Sequence, residues 1–128
     1  MTQFAVAVEI ITPDGVFTVL DSTKPEPRFK KFPGGKSEGE ETPLECAVRE
    51  VEEEMGISLT IYDLEEVYRE QRKGHIFVFF QTEFLKTPQY KDRGVDGEEV
   101  SITPQSELPR ILFPPHLAMF QRATNALP

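Results

Sequence analysis

Residues 49–54 read Arg49-Glu50-Val51-Glu52-Glu53-Glu54, with four glutamates in five consecutive positions. On a helix, at about 100° per residue, Glu50, Glu53 and Glu54 share one face, because i, i+3 and i+4 are neighbours. Like charges at that spacing cost roughly a few tenths of a kcal/mol per pair when exposed, and more when partly buried. Arg49 is the local counter-charge. A divalent cation would relieve the repulsion. Oxygen-only ligands suit Mg²⁺ or Mn²⁺, and Mg²⁺ commonly takes one or two carboxylates together with substrate phosphates. Upstream, Gly34 and Gly35 let the backbone approach an ion or a phosphate closely. The competing readings are a solvated glutamate face and a tight Gly-Gly turn.

The elements that must carry these groups are well marked. A helix is expected over Thr42–Met55, with Thr42 as N-cap, Pro43 at the first helical position, Glu45 closing a capping box and Gly56 as C-cap. Leu44, Ala47, Val48, Val51 and Met55 form its apolar stripe, and the three glutamates border that stripe. Before it, QFAVAVEIIT and VFTVLDS read as a strand hairpin about Pro13-Asp14-Gly15, and Lys24–Gly39 reads as loop. After it, ISLTIYDLEEVYREQ suggests one or two strands or a bend, and GHIFVFFQTEFL is the strongest strand signal in the chain. KTPQYKDRGVDG reads as loop, EEVSIT as a short strand, and FPPHLAMFQRATNAL as a C-terminal helix with Leu117, Phe120 and Ala123 inward. This order predicts a mixed α/β sandwich.

With 128 residues, one domain spanning 1–128 is the expectation. The net charge of −8 argues against nucleic-acid and anionic-membrane partners. The chain nonetheless has a basic arm, since Lys24–Lys36 holds five cations and one acid. There is no long apolar run and no secretory-type start, and the single cysteine, Cys46, leaves no thiol pair for a disulfide or a zinc site. A cytoplasmic location is expected.

The segment from Gly35 to Ile57 resembles the Nudix box, G-x5-E-x7-R-E-U-x-E-E-x-G-U, where U is a bulky aliphatic residue. Gly35, Glu41, Arg49, Glu50, Val51, Glu53, Glu54, Gly56 and Ile57 fill all nine specified positions. By background residue frequencies a chance match is on the order of 10⁻⁸ per window. The chain thus resembles the Nudix hydrolases of MutT-like type. Two positions depart from common family practice. Glu40, not glycine, precedes the first box glutamate, and Lys30 stands where an aromatic residue is frequent.

The resemblance implies an α/β/α sandwich with a mixed sheet, in which the box forms loop–helix–loop. It implies that Glu50, Glu53, Glu54 and the Gly35 carbonyl ligate Mg²⁺ or Mn²⁺. By the same resemblance, Arg49 and Glu41 would be an orienting ion pair. The general base would be Glu53 or a distant loop glutamate, Glu98 or Glu99. By their charge and position, Arg28, Lys30, Lys31 and Lys36 could meet substrate phosphates, Arg28 and Lys36 foremost, with solvated surface charge as the competing reading, whereas Glu52 would face water. Hydrolysis of a pyrophosphate linkage in a nucleoside diphosphate joined to another group is the implied activity. By elimination of other family signatures, a nucleoside or deoxynucleoside triphosphate giving the monophosphate and pyrophosphate is favoured. Nucleotide-sugar or ADP-ribose hydrolysis is an alternative, as is a non-catalytic nucleotide-binding module on the same scaffold. Either a monomer or a homodimer is compatible. His75 and His116 lack a partner pattern and read as structural; Cys46 reads as a small semi-buried residue; Phe77, Phe79, Phe80 and Phe84 read mostly as core, with stacking of one of them on a base as the alternative, and Tyr68 and Tyr90 carry the same two readings.

Overall fold

The computed structural model describes residues 3–21 and 23–126. Ser22 and Leu127, at the ends of an expected strand and of the expected last helix, lie outside the described residues. Six strands form one sheet: β1 Phe4–Thr12, β2 Gly15–Leu20, β3 Gly34–Lys36, β4 Glu65–Arg72, β5 His75–Glu83 and β6 Glu99–Thr103. Three helices accompany them: α1 Pro43–Met55, α2 Leu108–Ile111 and α3 Pro114–Ala126. Strand order is β4-β5-β1-β2-β6, with β3 paired to β1. β1 runs parallel to β5 and the other named pairs are antiparallel, so the sheet is mixed.

β1 and β5 are central strands whose apolar residues fill both faces, which is why their sequences run apolar without clean alternation. Val6, Val8, Ile10, Val78 and Phe80 pack with Ala47, Val51 and Met55 of α1. On the other face Ala5, Ala7, Phe77 and Phe79 pack with Phe32, Leu108 and Met119. Helices therefore cover both faces, giving the expected α/β/α sandwich. In α3, Met119 and Ala123 are buried, while Leu117 and Phe120 are partly so. Glu9 of β1 is 1% exposed. Gln81 Nε2 donates to its Oε1 at 2.7 Å, and burial raises its pKa.

The α1 punctuation forms as the sequence dictates. Thr42 Oγ1 accepts the Glu45 N–H at 3.2 Å, and Glu45 Oε1 accepts the Thr42 N–H at 2.9 Å. Gly56 ends the helix at φ 70°, a left-handed conformation that favours glycine. The stretch Lys24–Gly39 differs from the expected loop. Its end is β3, and Lys31 and Lys30 bridge to Val19 and Leu112. Three residues holding two glycines carry no strand propensity, so pairing with β1 alone makes that strand. ISLTIYDLEEVYREQ resolves into a 3₁₀ turn at Ile61–Asp63 followed by β4. α2 and the 3₁₀ turn at Gln105–Glu107 were not expected.

His116, in the first turn of α3, joins the second core. Its ring stacks on Phe32, with centroids 6.0 Å apart and planes 14° apart, and its Nδ1 accepts the Phe32 N–H at 3.2 Å. Burial, aided by Lys31 and Arg72, pushes its pKa down to about 4. A depressed folded pKa means that the unfolded chain takes up the proton first as pH falls. This contribution to stability is thus complete above about pH 6.5 and is lost towards pH 4. Urea titrations of wild type and His116→Asn should diverge in this window, with the wild type losing about 2 kcal/mol more between pH 7 and pH 5. Parallel profiles would contradict it.

Candidate active site

The carboxylates of α1 meet the glycines of β3 because β3 crosses the edge of the helix on its way along β1. Glu54 is only 7% exposed and accepts the Gly34 N–H at 2.9 Å. Burial is the largest influence on its pKa; together with the nearby Glu50 and Glu98 it outweighs the Gly34 hydrogen bond and Lys31, and lifts the pKa to about 9. Glu50 lies against Gly35, where an added Cβ would come within 2.6 Å of Glu50 Oε1. Burial raises the pKa of Glu50 as well.

Arg49 ties the group together. Its Nε donates to Glu41 Oε2 at 2.6 Å and its Nη2 to Glu41 Oε1 at 3.0 Å, a bidentate pair. Its Nη1 reaches Glu50 at 3.0 Å and Glu53 at 3.1 Å, and its Nη2 donates to the Lys36 carbonyl at 3.1 Å. The guanidinium holds the Glu41 carboxyl below its usual pKa range. Glu53 has a 41% exposed side chain. Glu52 is exposed and lies along an open groove of α1 that Arg49 and Glu53 also line. Cys46 is fully buried, and its thiol is pushed up to about 12, mainly by burial, so it is not a nucleophile at neutral pH.

The loop after β5 docks on the C-terminal end of α1. The Lys91 N–H donates to the Met55 carbonyl at 2.8 Å and the Val95 N–H to the Glu53 carbonyl at 3.0 Å. These bonds satisfy carbonyls in the last turn of the helix, which has no further turn to pair them. Gly94 permits the approach, since a Cβ there would lie 2.8 Å from the Glu54 carbonyl oxygen. The docked loop brings Glu98 to a 320 Å³ cavity that it shares with Glu54, Lys31, Asp21 and Asp96. Glu98 Oε1 is buried with no hydrogen-bond partner among the described residues. Glu99 instead pairs with Arg93 at 3.2 Å.

The other expected contacts divide. Lys36 lines a 170 Å³ cavity beside Glu54. Arg28 does not join the carboxylates; it pairs with Glu26 at 2.9 Å and lines a separate 320 Å³ cavity with Lys24 and Phe29. Lys31, one of the four basic residues that could meet substrate phosphates, borders all three of these cavities and faces Glu54. The bridge to Val19, which no local pattern encodes, puts it there.

These residues fit a divalent cation. Two carboxylates, Glu50 and Glu54, are desolvated, and the Gly34–Gly35 backbone lies against both of them. Among the described residues no three potential ligands converge as a ready-made metal cage. Mg²⁺ does not demand one, because it draws several ligands from water and substrate phosphates.

A family model described as NUDIX domain matches residues 1–123. A search of curated proteins found no match. Among solved structures the fold is similar to that of MutT in a study of Aliivibrio salmonicida and Vibrio cholerae (23% identity, 98% of this chain and 99% of that one, TM-score 0.72). It is also similar to the NUDIX domain of Shewanella oneidensis NrtR complexed with ADP ribose (16% identity, 100% and 90%, TM-score 0.77). A third similar structure is a bifunctional NMN adenylyltransferase/ADP ribose pyrophosphatase from Francisella tularensis, complexed with AMP and a Mn ion (19% identity, TM-score 0.73). That match covers 98% of this chain and 42% of the bifunctional protein.

Proposed function

Since the chain belongs to the Nudix family and is a Nudix pyrophosphohydrolase, we propose that its substrate is a nucleoside or deoxynucleoside triphosphate, hydrolysed with Mg²⁺ to the monophosphate and pyrophosphate. The observation that carries this reading is the meeting of buried Glu54 with Glu98 and Lys31 around one cavity, with desolvated Glu50 close to Glu54. ADP-ribose hydrolysis is the second reading, favoured by the ADP ribose bound to the NrtR domain.

Glu50, Glu53 and Glu54 would hold the cation, with the Gly35 carbonyl. The ion, when bound, supplies charge neutralisation of the phosphates and lowers the pKa of water. Lys31 and Lys36 would bind phosphate oxygens as point charges. Arg49 fixes Glu50 and Glu53 in rotamer, and Glu41 fixes Arg49 from the far side. In the reaction a water oxygen bonds to phosphorus while the bond from that phosphorus to the bridging oxygen breaks. The bridging oxygen leaves with the departing phosphate group. The water's proton passes to a carboxylate, and Glu98, which lines the cavity and has no cationic partner among the described residues, is better placed than Glu99 for that task.

A panel of nucleoside triphosphates, nucleotide sugars and ADP-ribose, with and without Mg²⁺, should show metal-dependent release of pyrophosphate from a triphosphate. If every member stays intact with metal present, the non-catalytic module becomes the better account. In addition, Glu98→Gln should lower kcat about a hundredfold or more, whereas Glu99→Gln should stay within a few-fold of wild type. Equal effects would reverse the choice between them.

A further inference from the structure

Glu98 is carried by a small hairpin that precedes and includes the start of β6. Arg93 and Glu99 pair antiparallel, the Gly94 N–H donates to the Glu98 carbonyl at 3.0 Å, and the Val100 N–H donates to the Asp92 carbonyl at 2.9 Å. The Gly97 N–H closes the turn on the Gly94 carbonyl at 3.0 Å. Arg93 braces it, with Nη1 on the Gly97 carbonyl and Nη2 on Glu99, each at 3.2 Å. These bonds tie residues 92–100 into one shape, so the place of Glu98 depends on how the hairpin sits against α1.

Its two ends are fastened differently. At the base, the Tyr90 ring packs edge-on against buried Phe17 with centroids 4.9 Å apart, and the Lys91 N–H is bonded to the Met55 carbonyl. β6 then pairs with β2 from Glu99 to Thr103. The tip rests on α1 through the Val95 N–H on the Glu53 carbonyl and through Gly94, which lies against the Glu54 backbone. The Val95 side chain is 71% exposed, so apolar burial adds little there. A tip held by a backbone hydrogen bond and little apolar contact opens at low cost in free energy.

Charge opposes its seating. The seated hairpin sets Asp96 and Glu98 on the cavity that Glu54 lines, and Glu50 lies close to Glu54. Lys31 is the cation on that cavity, whereas Arg49 is engaged by Glu41, Glu50 and Glu53. Carboxylates brought together at a partly desolvated place repel by as much as one hydrogen bond contributes. A divalent cation on Glu53 and Glu54 changes the sign, because the charges of Asp96 and Glu98 are then drawn towards it. Glu53 and Glu54 thus offer their carboxylates to the cation and their backbone to the hairpin.

We propose that cation binding and seating of the hairpin 92–100 on α1 are linked, with Gly94 as the positioning residue, so that the metal-loaded protein holds Glu98 at the cavity more firmly than the metal-free one. The inference rests on the reading of the α1 carboxylates as a cation site and of Glu98 as the proton acceptor. Linkage is reciprocal, so a hairpin that cannot seat must bind the cation more weakly by the same factor.

The test is amide hydrogen exchange of the whole chain with and without Mg²⁺, beside calorimetric Mg²⁺ binding. Saturating Mg²⁺ should slow exchange of the Val95 amide at least tenfold more than that of the Leu112 amide, which bonds to Leu108 on the other face of the sheet. Glu98→Gln, which removes one repelling charge at constant shape, should slow Val95 exchange without Mg²⁺ and shrink the response to Mg²⁺. Gly94→Ala, whose methyl would meet the Glu54 backbone at 2.8 Å, should speed Val95 exchange in both conditions and weaken Mg²⁺ binding about tenfold. Val95 exchange indifferent to Mg²⁺, equal slowing of Val95 and Leu112, or an unaltered Mg²⁺ response in Glu98→Gln would overturn the proposal. The wild type and the glutamine variant keep the test valid if Gly94→Ala folds poorly. Mg²⁺-dependent protection of Val95 without hydrolysis of any nucleotide would leave this inference standing and sink the proposed substrate class. Nucleotide turnover with a hairpin indifferent to Mg²⁺ would do the reverse.

Discussion

Glu54→Gln is expected to lower nucleotide hydrolysis by about a thousandfold while leaving the metal-free protein at least as stable as wild type. The two halves of this result have one cause. Glu54 sits 7% exposed in a low-dielectric pocket where its charge is opposed by Glu50 and Glu98. The amide keeps the shape and the oxygen that accepts the Gly34 N–H, so it removes the desolvation conflict and little else. What it also removes is the anionic ligand, and a bound cation contributes several kcal/mol to charge stabilisation in such reactions. Thermal melts without metal, set beside steady-state rates with Mg²⁺, would check both halves. Near wild-type turnover would show that the buried carboxylate is not part of the site.

The second large effect separates two adjacent glycines. In Gly34→Ala the new methyl would overlap the backbone carbonyl oxygen of Val6. Neither backbone can give way without breaking the pairing of Ala7 with Gly34. A stability loss of about 3 kcal/mol is expected, read from urea midpoints, with activity lost in proportion to folding. In Gly35→Ala the methyl would meet the Glu50 carboxylate at 2.6 Å, the far end of a side chain that can swing aside. Stability should change by under about 1 kcal/mol, but Glu50 would leave its place and Mg²⁺-dependent turnover should fall at least tenfold. Equal stability losses in the two variants would contradict this division.

Local chemistry was legible in the sequence. Thr42, Pro43, Glu45 and Gly56 specify α1 through bonds within a few residues, and the structure forms those bonds. The spacing of Glu50, Glu53 and Glu54 on one face is a consequence of helical geometry alone. The fold class was legible too, because the aromatic and β-branched run of β5 and the apolar run of β1 can only be central strands. What escaped depends on contacts far apart in the chain. β3 exists through its pairing with β1, and Lys31 reaches the carboxylates through its bridge to Val19. Glu98 and Glu99 are indistinguishable by composition. Docking of the loop on the Met55 and Glu53 carbonyls sets one of them at the cavity and gives the other an arginine partner. Arg28 lies apart from the carboxylates, paired with Glu26 beside a different cavity. Nothing in the residues around Pro114-Pro115 hinted that His116 would be clamped by three aromatic rings.

The most direct test of the account is Mn²⁺ binding followed by electron paramagnetic resonance in wild type and in four single variants, Glu50→Gln, Glu52→Gln, Glu53→Gln and Glu54→Gln. Glu54 must shed a proton that burial holds, so wild-type affinity should rise between pH 6 and pH 8. Binding should be lost in Glu54→Gln, weakened in Glu50→Gln and Glu53→Gln, and unchanged in Glu52→Gln. Equal affinity in all five proteins would contradict the assignment of the metal to these carboxylates.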